Sequence, residues 1–503
     1  MRLRLTPTLA LALTAASTLV MVVADDYLGA VGIVVAVTLS TVGLVVLLDL
    51  ERKGRAVRIS AVVASAAVVL IAAVVLGPTD SHDLWSYAMY GRILSVHHAS
   101  PWVVTPAHFP TDPFLSHVAR GWRHTTSIYG PAFELMAAAI TKVGGDAATA
   151  VRMLFTSTFA LATAAGGVIV FRRTRSSAAT ALVLLHPAIA VAGILGGHND
   201  VLVGLGLLGA VVFVQDDRPI AAGLSAGLAT LVKLTGGIGI LALAAWAFAH
   251  HGRDWTVRFA GAAFGLVALA YLPFGTSGFS AFLHNRGSLS RASAWEFPRL
   301  LTGLDHRHTA LNIGLPRSDT QLIITLGTVV MIAIAVWMAI KLRHRADPGT
   351  PLVAAIGSYL IFAPYVLPWY PAWVIPTIGL NPRAPVGRLL ALQGAALVVV
   401  YELKTQSLAG WIASIVWWIS VLVSVTLCVV FLRLTRTGEP DPEPALVGAR
   451  NRYSSAGRLM LRPTSSADTP SGPITSTIGS GRSSNSVRNA RLMVACISYN
   501  DVM

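Results

Sequence analysis

The stretch GPTDSHDLWSYAMYGRIL, residues 77–94, sets down Asp80, His82 and Asp83 and then Trp85, Tyr87, Tyr90 and Arg92 directly after an apolar run at 57–76. A carboxylate in that place has two uses. It caps a helix by accepting backbone N–H groups, the ordinary role for Asp80 or Ser81, or it takes a proton from a hydroxyl as a general base. The stretch GGHND places His198, Asn199 and Asp200 where one apolar run gives way to the next. That is either a polar turn with an N-cap, or three hydrogen-bonding groups beside glycines that let a ligand approach the backbone. A His-x-Asp pair supplies too few ligands for a metal centre, so none is expected. Lys233 interrupts an apolar stretch, where an ammonium either snorkels to a helix end or holds a phosphate. Arg120, Arg123 and His124 in ARGWRHTT add positive charge that could join it. The stretches SAWEFPRLL and YVLPWYPAWVIP carry Trp295, Glu296, Trp369, Tyr370 and Trp373. Such aromatics form an interfacial belt, or they stack on a sugar ring and wall a groove for a lipid chain.

The elements that position these residues follow from composition. The chain has 503 residues, 54% hydrophobic and 12% charged, with a mean hydropathy of +0.66. Soluble domains carry about 25% charged residues, so this is an integral membrane protein. Apolar runs of about 17 to 25 residues recur along the chain up to Phe431, and no strict alternation marks barrel strands, so the spans are helices. Length and charge give about 14 crossings, at 8–24, 28–50, 57–76, 146–171, 178–195, 199–214, 219–232, 235–249, 257–274, 320–341, 351–367, 369–380, 386–402 and 410–433. The net charge of +15 sits between spans, in MRLR, ERKGRAVR, RRTR, GRDWTVR and KLRHR. With those clusters cytoplasmic the chain obeys the positive-inside rule, which argues against nucleic acid as a partner. Both termini are then cytoplasmic, in a multi-pass plasma-membrane protein. A cleaved signal peptide at the N-terminus is the alternative and leaves the later sidedness unchanged. Cys428 and Cys496 form no disulfide framework.

Residues 1–434 make the membrane domain, and 435–503, rich in Ser, Pro, Gly, Thr and Arg, read as a disordered cytoplasmic tail. The long segments 77–145 and 275–319 fall outside, together with GGHND, Lys233 and YVLPWYP, so the polar residues converge on one face. Within the first loop, 83–96 has helical spacing. Trp85, Met89, Ile93 and Val96 form one stripe, expected to rest in lipid, while Asp83, Tyr87 and Tyr90 face a cleft. A second short helix is expected over 129–143, led by Tyr129, Gly130 and Pro131.

Taken in order, SHDLWSYAMYGRIL, SIYGPAFEL, GGHNDVL and LPWYPAWVIP resemble the motifs of the actinobacterial polyprenol-phosphomannose-dependent α-1,6-mannosyltransferases. These are membrane glycosyltransferases of the GT-C type. The resemblance runs over roughly residues 25 to 434; His82 departs from the basic or polar residue the pattern favours. It implies an all-α, GT-C-like polytopic fold with interfacial helices in the first external loop. It also implies inverting transfer of mannose, on the outer face, from a polyprenol phosphomannose donor to a lipid-linked mannan acceptor, with no cofactor. The resemblance favours Asp83 as the base, with Asp80 kept as the alternative. Lys233, helped by Arg123 or His198, would hold the phosphate. Tyr87, Arg92, His124, Tyr129, Asn199, Asp200, Trp295, Glu296, Trp369 and Tyr370 complete the implied substrate site. Two other classes fit a polytopic chain. A lipid-linked sugar flippase or secondary transporter would carry midplane charges and repeated halves, and a scaffold would not need its polar residues on one face.

Overall fold

The computed structural model describes residues 6–24, 27–78, 81–275, 277–278, 289–290, 292–301, 317–405 and 410–436. Asp80, most of the segment 275–319 and the tail lie outside these residues. Among the described residues every regular element is helical. The helices are α1 (Pro7–Val23), α2 (Ala30–Arg52), α3 (Ile59–Leu76), α4 (Asp83–Ser95), α5 (Pro131–Gly144), α6 (Ala148–Thr174), α7 (Ser177–Leu185), α8 (Asp200–Gln215) and α9 (Pro219–Val232). They continue as α10 (Gly237–His251), α11 (Arg253–Tyr271), α12 (Glu296–Leu301), α13 (Arg317–Lys341), α14 (Gly349–Phe362), α15 (Ile375–Ile378), α16 (Pro385–Thr405) and α17 (Gly410–Arg436).

Nine helical stretches among the described residues are long and apolar enough to cross a membrane, and four more apolar helices are shorter: α1, α8, α9 and α14. These match the places of the expected crossings, except at 369–380. That segment is a tight turn at Tyr370–Trp373 followed by the single turn of α15. Pro371 and Pro376 account for the break, because each lacks an N–H and stops a continuous ladder. Residues 368–379 are buried throughout, and irregular backbone at membrane depth is tolerated only where protein encloses it.

The helices pack through small residues. A Cβ on Gly223 of α9 would overlap the Phe259 carbonyl of α11, and Gly227 faces Ala263 one turn on. Close backbone approach of this kind replaces the hydrophobic drive that lipid does not supply.

The reading of α4 needs correction. Met89 and Ile93, expected to rest in lipid, are fully buried along with Leu84, Tyr87 and Tyr90. Trp85 stacks on Phe114 and His117 instead, at 5.9 and 4.5 Å between ring centroids. The segment 97–124 folds over α4 and α5 covers another side. So α4 is a core helix of the segment between α3 and α6, and of the supposed lipid stripe Val96 alone is exposed.

Candidate active site

The segment after α7 widens into a π-type helix, Ala188–Leu195, before the GGHND turn. Such widening often re-aims side chains at functional sites. Gly197 then takes φ +69, a left-handed turn that favours glycine. The turn points His198 back, so that its Nδ1 lies 2.6 Å from the Ala192 carbonyl. A carbonyl only accepts, so Nδ1 is the donor of that bond. Nε2 lies 3.1 Å from Ser81 Oγ, and Ser81 Oγ in turn accepts the Asp83 backbone N–H at 3.2 Å. This chain sets Asp83, the first residue of α4, with Oδ2 at 3.5 Å from His198 Nε2. On its other side the imidazole stacks on Trp369, with centroids 3.4 Å apart and planes 12° apart.

Asp200 opens α8 beside His198 and is fully enclosed. Its Oδ1 accepts from Lys233 Nζ at 2.9 Å and from the Trp373 indole at 2.5 Å. Lys233 stands in the extended break between α9 and the next turn, φ −148 and ψ 127. Its ammonium lies 4.7, 5.6 and 6.0 Å from the ring centres of Tyr370, Trp373 and Tyr129. The Tyr-Gly-Pro stretch reaches it because Gly130 N–H bonds the Val232 carbonyl at 3.2 Å. A Cβ on Gly130 would overlap the Leu231 carbonyl. Tyr129 meets Tyr87 edge-on at 4.9 Å. Burial first, then the Asp83 carboxylate and that of Asp200, push the Tyr87 phenol up. Burial, Tyr87 and Asp83 do the same to Tyr129. Both side chains of the Tyr87–Tyr129 pair therefore lie within the field of Asp83, and Tyr129 also borders Lys233.

The fold thus brings Asp83, Tyr87, Tyr129, His198, Asp200, Lys233, Trp369 and Tyr370 together. Asn199 is buried among them, and among the described residues neither of its side-chain atoms has a partner; Asp200 Oδ2 is in the same state. The other candidate residues stand apart from this cluster. Arg92 is a structural tie: its Nε bonds both oxygens of Asp112 at 3.0 and 2.8 Å, and its Nη1 meets Asp146 at 2.8 Å. Burial works to raise the Asp112 carboxyl, but Arg92, the Phe114 N–H and His97 outweigh it and hold it below the usual range. Arg123 donates to the Ser116 and Val118 carbonyls, both at 2.9 Å, and His124 is exposed. Among the described residues neither touches the cluster. Trp295 donates its indole N–H to the Phe362 carbonyl at 2.7 Å. Ser293 binds the Ala363 carbonyl at 2.8 Å, and Glu296 is buried beside it. These bonds tie the stretch to the end of α14.

Trp373 was legible as an aromatic but not as the third partner of the Asp200–Lys233 pair. Ser81, Tyr401 and Glu402 were missed: they line a cleft with His198 and Trp369. Glu402 had one available signal, an acid at the end of an apolar span. Among the described residues no group of acidic, His and Cys side chains is arranged to hold a metal ion.

Residues 4–250 match the family described as "Alpha-(1->6)-mannopyranosyltransferase, N-terminal domain". The alpha-(1->6)-mannopyranosyltransferase A of Mycobacterium tuberculosis is 28% identical over 382 residues, covering 71% of this chain and 72% of the relative. The protein of the same name from Corynebacterium glutamicum is 24% identical over 390 residues, covering 67% and 77%. The chain is a mannosyltransferase. The matched region contains Asp83, Tyr87, Tyr129, His198, Asp200 and Lys233, all but the aromatic side of the cluster. An enzyme is therefore preferred over the transporter and scaffold classes, and its apolar helices make it a membrane enzyme.

Proposed function

We propose that this mannosyltransferase is a GT-C-type enzyme that takes mannose from a polyprenol phosphomannose at the outer face of the plasma membrane. It adds the sugar to the 6-hydroxyl of a lipid-anchored mannan, forming an α-1,6 linkage by single displacement. The hydroxyl oxygen bonds to the anomeric carbon as the bond from that carbon to the phosphate oxygen breaks. The proton passes to the Asp83 carboxylate, and the electron pair leaves on the polyprenyl phosphate. Attack opposite the phosphate turns a β-linked donor into an α-linked product. A phosphate ester already leaves well, so one base suffices and the paired acid of a glycosidase is not needed. Lys233 supplies the nearest positive charge to the departing phosphate, and its neighbours Tyr129, Tyr370 and Trp373 give the sugar ring apolar faces to rest on.

The supporting observation is the inequality of the carboxylates. Asp83 keeps 25% of its side chain exposed, whereas Asp200 keeps none and is engaged by Lys233 and Trp373. Of these two carboxylates, Asp83 is the one that combines access for an acceptor with a position beside His198. Asp83→Asn keeps shape and capping ability but cannot take a proton. With labelled polyprenol phosphomannose and a synthetic α-1,6-dimannoside, and the nucleotide-sugar route blocked, transfer should fall by roughly 10²-fold or more at unchanged membrane level. Asp80→Asn should cost much less. Transfer by Asp83→Asn at close to the normal rate would remove the general base from this proposal.

A further inference from the structure

Glu134 has no part in the step above, yet it is fully buried in the first turns of α5. The Ser127 hydroxyl is its hydrogen-bonding partner, its Oε2 has none among the described residues, and no cation there offsets its charge. An enclosed carboxyl of that kind is costly, and packing alone would be better served by an apolar side chain. Its neighbour Phe133 touches both rings of the Tyr87–Tyr129 pair, at 4.9 and 5.2 Å between centroids. The helix that carries Glu134 is also held firmly. A Cβ on Gly91 of α4 would overlap the Ala137 carbonyl, so α4 and α5 meet backbone to backbone.

Tyr129 is placed through its backbone. Its carbonyl accepts the Trp102 indole N–H at 2.9 Å, and the next N–H, that of Gly130, bonds the Val232 carbonyl at 3.2 Å, immediately before Lys233. Its own N–H donates to Ser127 Oγ at 3.1 Å. Of these three ties the last runs through a hydroxyl, which can rotate. Ser127 has one hydroxyl proton, and the tie is lost whenever that proton turns towards the Tyr129 N–H. Ser127 donates it to Glu134 Oε1 instead, while the Ser127 N–H is fixed on the Pro101 carbonyl at 2.8 Å. The buried carboxyl therefore turns the hydroxyl so that a lone pair faces Tyr129.

We propose that Glu134 is a positioning residue: through the Ser127 hydroxyl it locks the backbone of Tyr129 and so holds the phenol ring beside Lys233. The inference rests on the reading of Lys233 and Tyr129 as the donor side of the site. A Tyr129 ring free to drift by about an ångström would loosen the donor sugar in front of Asp83, a misplacement of the size that costs up to about 10²-fold in rate.

The test uses the full chain in lipid nanodiscs, with fluorotyrosine at position 129 read by its fluorine resonance. Transfer from polyprenol phosphomannose to α-1,6-dimannoside is measured alongside, per folded molecule. Glu134→Leu removes the acceptor at similar volume, whereas Glu134→Gln keeps a carbonyl for the Ser127 hydroxyl. Glu134→Leu should shift or broaden the resonance and lower kcat/KM for the donor roughly tenfold to 10²-fold, with the acceptor KM little changed. Glu134→Gln should keep the native resonance and recover transfer to within about threefold. Ser127→Ala should match Glu134→Leu, and the two together should be no worse than either, since the pair acts as one unit; should Glu134→Leu fail to fold, Ser127→Ala carries the same readings. In a Tyr129→Ala background Glu134→Leu should cost nothing further. A native resonance in Glu134→Leu overturns the proposal. So does a shifted resonance with native kcat/KM for the donor, or a loss of transfer that persists in full in the Tyr129→Ala background, which would make Glu134 a support of the fold at large. If the native protein transfers nothing from polyprenol phosphomannose, the proposed reaction fails, and the resonance series still decides whether Glu134 holds Tyr129.

Discussion

Replacing Lys233 with methionine separates what the buried pair does for the fold from what it does for the donor. Methionine keeps the length and most of the volume of the stem, so the change is chiefly loss of charge. Asp200 has no exposed side-chain surface, and Lys233 keeps only 13% of its own. After the change the Asp200 carboxylate retains the Trp373 indole at 2.5 Å as its donor. Its Oδ2 already has no partner among the described residues. Breaking a buried pair by deleting one member costs about 3–5 kcal/mol, because the remaining charge stays enclosed. Loss of the cation from its three aromatic faces adds about 0.5–2 kcal/mol. Lys233→Met is therefore expected to lose a large part of the roughly 5–15 kcal/mol by which a folded protein holds together.

A loss of activity in Lys233→Met alone would be ambiguous for that reason. The double variant Lys233→Met, Asp200→Asn removes the orphaned charge and should recover most of the stability, since neutral replacement of a buried pair is often close to neutral overall. Membrane enzymes of this size unfold irreversibly, so the measurement is the rate of thermal inactivation in nanodiscs, with transfer expressed per folded molecule. A double variant that is stable but transfers roughly 10²-fold more slowly gives Lys233 a part in stabilising the leaving phosphate. Native stability in the single variant would refute the energetic argument. Native transfer in the double variant would refute the assignment of the donor phosphate to Lys233.

Burial raises the Glu134 carboxyl to about 8 from an ordinary 4.5, against the opposing hydrogen bond from Ser127. Because the folded value is the higher, this group's stabilisation is full below about 4.5 and is lost as pH rises through about 8; Glu134→Gln should flatten the inactivation rate across that window, and an unchanged pH profile would show that the acid is not buried as described. Gly130→Ala should cost about 1–3 kcal/mol by overpacking against the Leu231 carbonyl. It should also lower transfer by shifting Tyr129, and an alanine variant with native transfer and stability would mean the turn has room to spare.

The membrane helices were legible because length and apolarity are both set by the bilayer, and charge between spans ordered their ends. The cluster was legible in part for the same reason. Asp83, His198, Lys233 and Tyr370 lie far apart in sequence, but each stands at a span end on the same expected side. What failed was orientation. In a soluble helix an apolar stripe faces a core, whereas here Met89 and Ile93 would be equally suited to lipid or to protein, and periodicity cannot tell the two apart. The Arg92–Asp112 tie gave no signal either, since its partner arrives from a loop whose path depends on the finished fold. The broken segment at 369–380 did carry one: Pro371 and Pro376 sit inside an apolar run that hydropathy alone joins into a span.

The charges of the cluster can be followed one step further. Lys233 and Asp200 cancel as an ion pair, and His198 donates from Nδ1 to the Ala192 carbonyl. Asp83 has no Lys or Arg partner among the described residues and is lodged at the N-terminus of α4, where the helix dipole favours an anion. An anion there helps to draw a proton from a hydroxyl but repels a phosphate. In the proposed reaction the donor would therefore present its phosphate away from Asp83 and its anomeric carbon towards it. In-line displacement with inversion imposes that same arrangement, with attacking and leaving oxygens on opposite sides of the carbon. The Tyr87–Tyr129 pair, bordering Asp83 on one side and Lys233 on the other, holds the two charges apart by bulk that neither ionises nor admits water readily. On this account the aromatics fix the direction of attack, and the choice between α and β product lies in the spacing of Asp83 from Lys233 rather than in either residue alone.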